Sequence, residues 1–216
     1  MNQLPGPKVP LVLSYLSLRK AVGIIGFALP FVLASGKCLF QSPGLQASIS
    51  CYYYTEMRNV FVGSMCVIGV FLMSTKGYDR KDKIAGILAC VFAVGVAFFP
   101  TNPCTGVAQH KLIGALHLSF AALLFLTLAY FSLVLFTKTD PMKIPTRQKR
   151  QRNAVYRICG YTILVCIFLI VVGKLPGIET HVEWLTPVFW LESIAVLAFG
   201  VSWLIKGETI LKDNGT

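Results

Sequence analysis

Apolar residues run through this chain in six long stretches, at about 21–36, 59–75, 84–100, 112–137, 156–173 and 186–205, with polar residues gathered between them. The runs are too long for strands and mostly free of charge. A helix that crosses a bilayer uses about 20 apolar residues. The pattern therefore predicts an all-α fold, a single transmembrane domain of six helices over residues 1–216. Short connections make sequential helices antiparallel neighbours. Residues 1–20 read as a cytoplasmic and interfacial lead-in that ends in Arg19 and Lys20. Residues 138–155 read as a basic cytoplasmic loop. A signal peptide shares the order basic, apolar, small, which is found here at Arg19-Lys20, 21–33 and Ala34-Ser35-Gly36. The leader is long, however, and Pro30 interrupts the apolar run, so a retained helix is expected.

Composition narrows the class. Of 216 residues, 55% are hydrophobic and 13% charged, and the mean hydropathy is +0.68. A soluble domain carries roughly 25% charged residues. These charges are too few to coat a globule, which excludes a disordered chain, a secreted disulfide scaffold and an ordinary soluble enzyme.

The net charge of +11 raises nucleic acid as a partner, and its distribution argues against it. With a cytoplasmic N-terminus, the inner side receives the basic residues before the first span, around 76–83, from Lys138 to Arg157, and Lys206 and Lys212. The outer side keeps Lys37, Arg58, Lys111 and Lys174. Sixteen against four is a strong bias by the positive-inside rule. Both termini are expected in the cytoplasm, with the chain multi-pass in a cell membrane.

Small residues mark expected helix contacts, since backbones in lipid gain dispersion by close approach. They are Gly23 and Gly26, Gly63 and Cys66, and Ala89, Ala93 and Ala97 at four-residue spacing. Trp184 and Trp190 read as outer interfacial anchors and Trp203 as an inner one. Cys38 and Cys51 fall in the first outer loop and are candidates for a disulfide, with Cys104 able to replace either.

Ionisable residues inside the bilayer are the candidates for chemistry, because each costs roughly 2.5–3.5 kcal/mol at mid-membrane unless it has a partner or a task. His117 and Glu192 each lie about five residues into a span from its outer end, roughly 7–9 Å deep. Glu56, Arg58 and Asn59 open the second span from the same side, and Tyr54 stands at the mouth. Together Glu56, Arg58, Asn59, Tyr54, His117 and Glu192 form an expected outward-facing polar pocket. Its catalytic version has His117 as general base and Glu192 orienting it. His110, His117 and His181 share the outer half but lack tight ligand spacing, so no metal is assigned. Ser48 and Ser50 lack a nucleophile-elbow context. No cofactor motif is present. On the inner side Lys143, Arg147, Lys149, Arg150 and Arg152 form a candidate contact for anionic lipid.

The chain resembles the DRAM/Frag/Sfk group of six-helix membrane proteins, especially its bacterial relatives. The resemblance rests on Ser48-Ile49-Ser50 running into Tyr52-Tyr53-Tyr54-Thr55-Glu56-Met57-Arg58-Asn59-Val60-Phe61-Val62-Gly63. It continues with Gly86, Pro100, His117 and the string Phe189-Trp190-Leu191-Glu192. Cys51 stands where members usually carry Asp. The resemblance implies an integral membrane protein, in a bacterial inner membrane, linked to lipid handling or membrane organisation.

Three functions are expected in order: binding of a lipid or small amphiphile, an intramembrane hydrolase or acyltransferase built on His117 and Glu192, and a small-solute or proton-coupled transporter. Partners would be membrane lipids, with a membrane-protein partner or a second copy of the chain left open.

Overall fold

Each apolar stretch forms a helix, because a run of Leu, Ile, Val, Phe and Ala with no polar interruption satisfies its backbone only within itself when water is absent. The structure is a computed structural model that describes residues 15–74, 80–102, 111–139, 142, 145–175 and 183–208. The helices are α1 (Tyr15–Phe40), α2 (Arg58–Ser74), α3 (Arg80–Phe98), α4 (Lys111–Tyr130), α5 (Arg147–Gly173) and α6 (Pro187–Lys206). Helix α4 widens into a π turn at Phe131–Leu135, closed by the Phe136 N–H on the Phe131 carbonyl at 2.9 Å. Four helices, α1, α4 with its π turn, α5 and α6, are long and apolar enough to cross a membrane. Helix α2 is apolar but 17 residues long, and α3 opens with Arg80-Lys81-Asp82-Lys83.

The helices pack as a ring in chain order. Each touches the next, and α6 closes the ring on α1. Neighbours run antiparallel. Gly23 lies against Leu204 and Gly26 against Phe199, while Gly69 lies against Ala93 and Gly86 against Leu72. The α1–α6 and α2–α3 seams both bring backbones close. A Cβ on Gly200 would lie 2.7 Å from the Phe27 nitrogen, and one on Gly86 would lie 2.8 Å from the Leu72 carbonyl oxygen. The absent side chain is what lets the backbones meet. Ala89, Ala93 and Ala97 are buried as their spacing predicts. Gly63 is exposed, with nothing within 4 Å of an added Cβ, so it is not a contact.

The ring has two ends. At one, here the roof end, α1, α3 and α5 finish. At the base end, α2, α4 and α6 finish. The base holds a buried aromatic cluster in which Trp203 meets Phe131, Phe136 and Phe199, with ring centroids 5.1–6.1 Å apart. This corrects the reading of Trp203 as an interfacial anchor, since its ring is 1% exposed. Trp184 and Trp190 are exposed. Above this cluster Ser132 donates to Ser202 at 3.1 Å, a buried bond between α4 and α6.

Two segment readings change. Thr146 caps α5 by accepting the Lys149 N–H at 3.1 Å, so 147–155 is helix rather than loop. Tyr15–Lys20 is the first part of α1, and residues 1–14 lie outside the described residues.

The two seams yield a direct comparison. Gly200→Ala and Gly86→Ala should each lower stability by about 1–3 kcal/mol, as overpacking does. Gly63→Ala should stay within about 0.5 kcal/mol of the parent. Thermal unfolding in detergent micelles reads all three.

Candidate functional site

The segment after α1 is a built element rather than a slack loop. Lys37, in the last turn of α1, is buried. Its Nζ donates to the carbonyls of Ser42 (3.0 Å) and Gly44 (3.1 Å) and to Ser42 Oγ (3.3 Å). A cation there meets the unsatisfied carbonyls and the negative end of the helix dipole. Gly44 turns the chain with φ +110°, a conformation that favours glycine. The chain then enters a 3-10 turn at Ser50–Tyr54, where Ser48 Oγ accepts the Cys51 N–H at 3.1 Å.

This turn lies across the roof end as a lid. The Phe189 N–H donates to the Ala47 carbonyl (3.1 Å), and Tyr54 donates to the Thr101 carbonyl after α3 (2.6 Å). Tyr52 is fully buried beside Phe189, and burial pushes its hydroxyl above the ordinary tyrosine range. The decisive contact joins backbone to a side-chain carboxyl group. The Ile49 N–H donates to Glu192 Oε2 at 2.7 Å, and the Ser50 N–H faces the same carboxylate. Consecutive amides pointing at one anion form a small nest.

Beneath the turn is a narrow cleft of about 50 Å³ inside the ring. Leu29, Phe61, Val96, Leu124 and Phe199 are among the side chains that line it, drawn from α1, α2, α3, α4 and α6. Ile49, Ser50 and Glu192 close its upper end, and Glu192 is the only ionisable group in the lining. Such a space accepts an apolar chain end. The carboxylate above it accepts a hydrogen-bond donor or a cation.

The expected polar pocket is not assembled. Glu56, Arg58 and Asn59 are exposed on the flank of the roof, with Arg58 stacked 4.1 Å from the Tyr53 ring centroid. Tyr54 is spent on the Thr101 carbonyl. His117 is buried at the α3–α4 contact, where Nδ1 donates to the Phe99 carbonyl at 2.6 Å and caps the end of α3. That bond places the proton on Nδ1 of the neutral ring. His117 and Glu192 therefore hold different partners, and only Glu192 lines the cleft. His110 and His181 lie outside the described residues.

The disulfide reading is also corrected. Cys38 is free and exposed at the end of α1, whereas Cys51 is buried in the 3-10 turn and disulfide-bonded. The alternative partner, Cys104, lies outside the described residues. At the base, Arg147 and Arg150 are exposed, while Lys149 turns inward to the Phe136 carbonyl at 3.0 Å. Arg152 is partly buried, and Lys143 lies outside the described residues.

Two contributors escape a reading of the sequence. Lys37 carries a recognisable signal, a cation in the last turn of an apolar helix with a glycine seven residues on. The amides of Ile49 and Ser50 carry none, since every residue but proline has one.

Compared with protein-family profiles, curated proteins and solved structures, the chain finds no match.

If Glu192 fastens the roof, Glu192→Ala should speed amide exchange at Ile49 and Ser50 by roughly tenfold or more, the worth of a hydrogen bond to a charged group. Glu192→Gln keeps an acceptor oxygen and should fall between. Hydrogen–deuterium exchange with mass spectrometry on the detergent-solubilised chain checks both, and unchanged exchange in Glu192→Ala would contradict the fastening.

Proposed function

We propose that this is a six-span membrane protein, with both termini in the cytoplasm and the roof outward, that binds a lipid or small amphiphile. An apolar chain end enters the cleft inside the ring and the polar head engages Glu192 beneath the roof. The observation that carries this reading is the apolar cleft that ends on one carboxylate.

Several features support the membrane placement. Large apolar side chains are exposed on every helix, among them Phe31, Val70, Val91, Leu118, Phe168 and Ile194. Water would leave these faces uncovered; lipid covers them. That supports spans for the shorter α2 and α3 as well. The bonded Cys51 lies in the roof, and disulfides persist in oxidising compartments, which supports an outward roof. The bias of basic residues toward the base agrees with it. Helix α1 packs along both α2 and α6, which supports its retention rather than cleavage. The resemblance to the DRAM/Frag/Sfk group points the same way, toward lipid handling.

The head group follows from the cleft's chemistry. A carboxylate repels phosphate, so the favoured head carries hydroxyl, amide or ammonium donors near the chain. Oε2 already accepts from Ile49, and the ligand meets the lone pairs that remain.

Two measurements test the proposal. Mass spectrometry of lipid carried through purification should show a discrete species enriched over bulk lipid. Ala121→Leu, which narrows the cleft from α4, should cut that species severalfold while the protein stays monodisperse with an unchanged melting temperature. A well-folded Ala121→Leu variant with its full lipid complement would sink the cleft reading. For topology, a membrane-impermeant maleimide applied to intact cells should label Cys38, the free and exposed thiol at the roof end. Labelling only after the cells are opened would reverse the orientation.

A further inference from the structure

The cleft is closed above and open to one side. Ile49 and Ser50 of the roof are buried over it. The lining side chains from α1, α2 and α3 are buried too, with Leu29, Phe61 and Val96 each no more than 4% exposed. The lining residues that keep some exposure all belong to α4 and α6. They are Ala121 and Phe125 on the first and Glu192 and Val196 on the second. The edge of α4 toward α3 is filled by Phe120, which stacks on Phe99 and tilts against Phe92. The edge of α6 toward α1 is shut by Phe199 on Gly26. What remains is the side of the ring where α5 stands between α4 and α6.

Helix α5 does not complete the wall at that height. It rises from base to roof and buries Tyr156, Cys159, Gly160, Ile163 and Cys166, all in its lower and middle turns. From Ile167 to Leu175 no residue is buried, and Phe168, Leu169 and Val171 are exposed. Among the described residues, none of the cleft's lining comes from α5. A helix whose buried side chains lie at one end moves at its other end at low cost. Size then sets the source of the ligand. Sites that enclose a small molecule whole measure roughly 300–1,000 Å³. A cleft of about 50 Å³ takes only the end of a chain. The rest of that chain lies outside, along a flank where Leu118 of α4 and Phe168 of α5 are exposed. Lipid receives an apolar chain there, and water does not.

We infer that the ligand is a lipid resident in the bilayer, which enters the cleft sideways between α4 and α6, past the roof end of α5, with Phe125 and Val196 setting the width of the opening. This rests on the reading of the cleft as the seat of an apolar chain. Glu192 stands both at the upper end of the cleft and on its open side. The head group therefore meets the carboxyl at the opening, and the roof stays fastened while the chain end passes in.

The test uses the full chain in phosphatidylcholine nanodiscs doped with a diacylglycerol that carries a diazirine at the end of one acyl chain. Its hydroxyl supplies a donor for the Glu192 carboxyl. After illumination, peptide mapping by mass spectrometry locates the adducts. Phe61 and Met65, buried on α2 across the ring from α5, should be labelled. Exposed Phe168 reports contact with the surrounding lipid in every sample. Phe125→Ala leaves space at the opening and should raise label at Phe61 and Met65, relative to Phe168, by about twofold. Val196→Phe fills the opening and should cut the same ratio by about fivefold. If Val196→Phe does not fold, Val196→Leu takes its place, with a smaller loss expected. No label at Phe61 or Met65 in the parent chain overturns both the chain seat and its side entry. Label there that does not follow the two substitutions in these opposite directions leaves the seat standing and overturns the side entry.

Discussion

The contact between the Glu192 carboxylate and the Ile49 N–H is the constraint on which the upper half of the molecule depends. A carboxylate inside an apolar helix costs free energy unless something receives it. Here the partner is backbone, from a segment more than a hundred residues away, and the bond is short at 2.7 Å. The single contact does two things at once. It lodges the carboxylate, and it fastens the turn that closes the cleft. Lys37 holds the segment that leads into this turn to the end of α1, and Tyr54 joins the turn to the Thr101 carbonyl after α3. The roof is therefore pinned at its margins by polar bonds, over a cleft lined mostly by apolar side chains.

The base is organised on different terms. Aromatic rings fill it, and its polar groups are arranged around the π turn, where the helix loosens and leaves carbonyls for side chains to reach. Lys149 takes the Phe136 carbonyl, and Asn153 reaches that of Thr137 at 3.4 Å. π turns interrupt helices mostly where function needs it. The molecule thus presents acid over an apolar space at one end and base over an aromatic floor at the other, a polarity that suits a protein oriented between two unlike surfaces.

The sequence made the helices legible and left their facing hidden. All six apolar runs are helices, and most boundaries fall within a few residues of the hydropathy reading. Helices α1 and α5 are the exceptions at their starts: Tyr15–Lys20 belongs to α1, and Thr146 with a run of Arg, Lys and Gln extends α5 beyond the apolar stretch. Depth along a helix is countable from sequence, and azimuth in a ring is not. His117 and Glu192 sit at matching depth, yet one faces the end of α3 and the other faces the roof. Trp203 misleads for a related reason. Position near a helix end suggests an interface, while Phe131, Phe136 and Phe199 draw the ring inward. Cys38 and Cys51 are close in sequence, but one ends exposed on a helix and the other buried in a turn.

Closure of the ring through α1 and α6 has a consequence for biogenesis. Helix α1 packs more extensively on α6 than on α2, its neighbour in sequence. Until α6 has been made, the groove at Gly23 and Gly26 is without Phe199 and Leu204 and faces its surroundings instead. Premature association of that groove with another nascent segment would trap an open chain. Closure of the ring is thus governed by how long α1 can wait for α6.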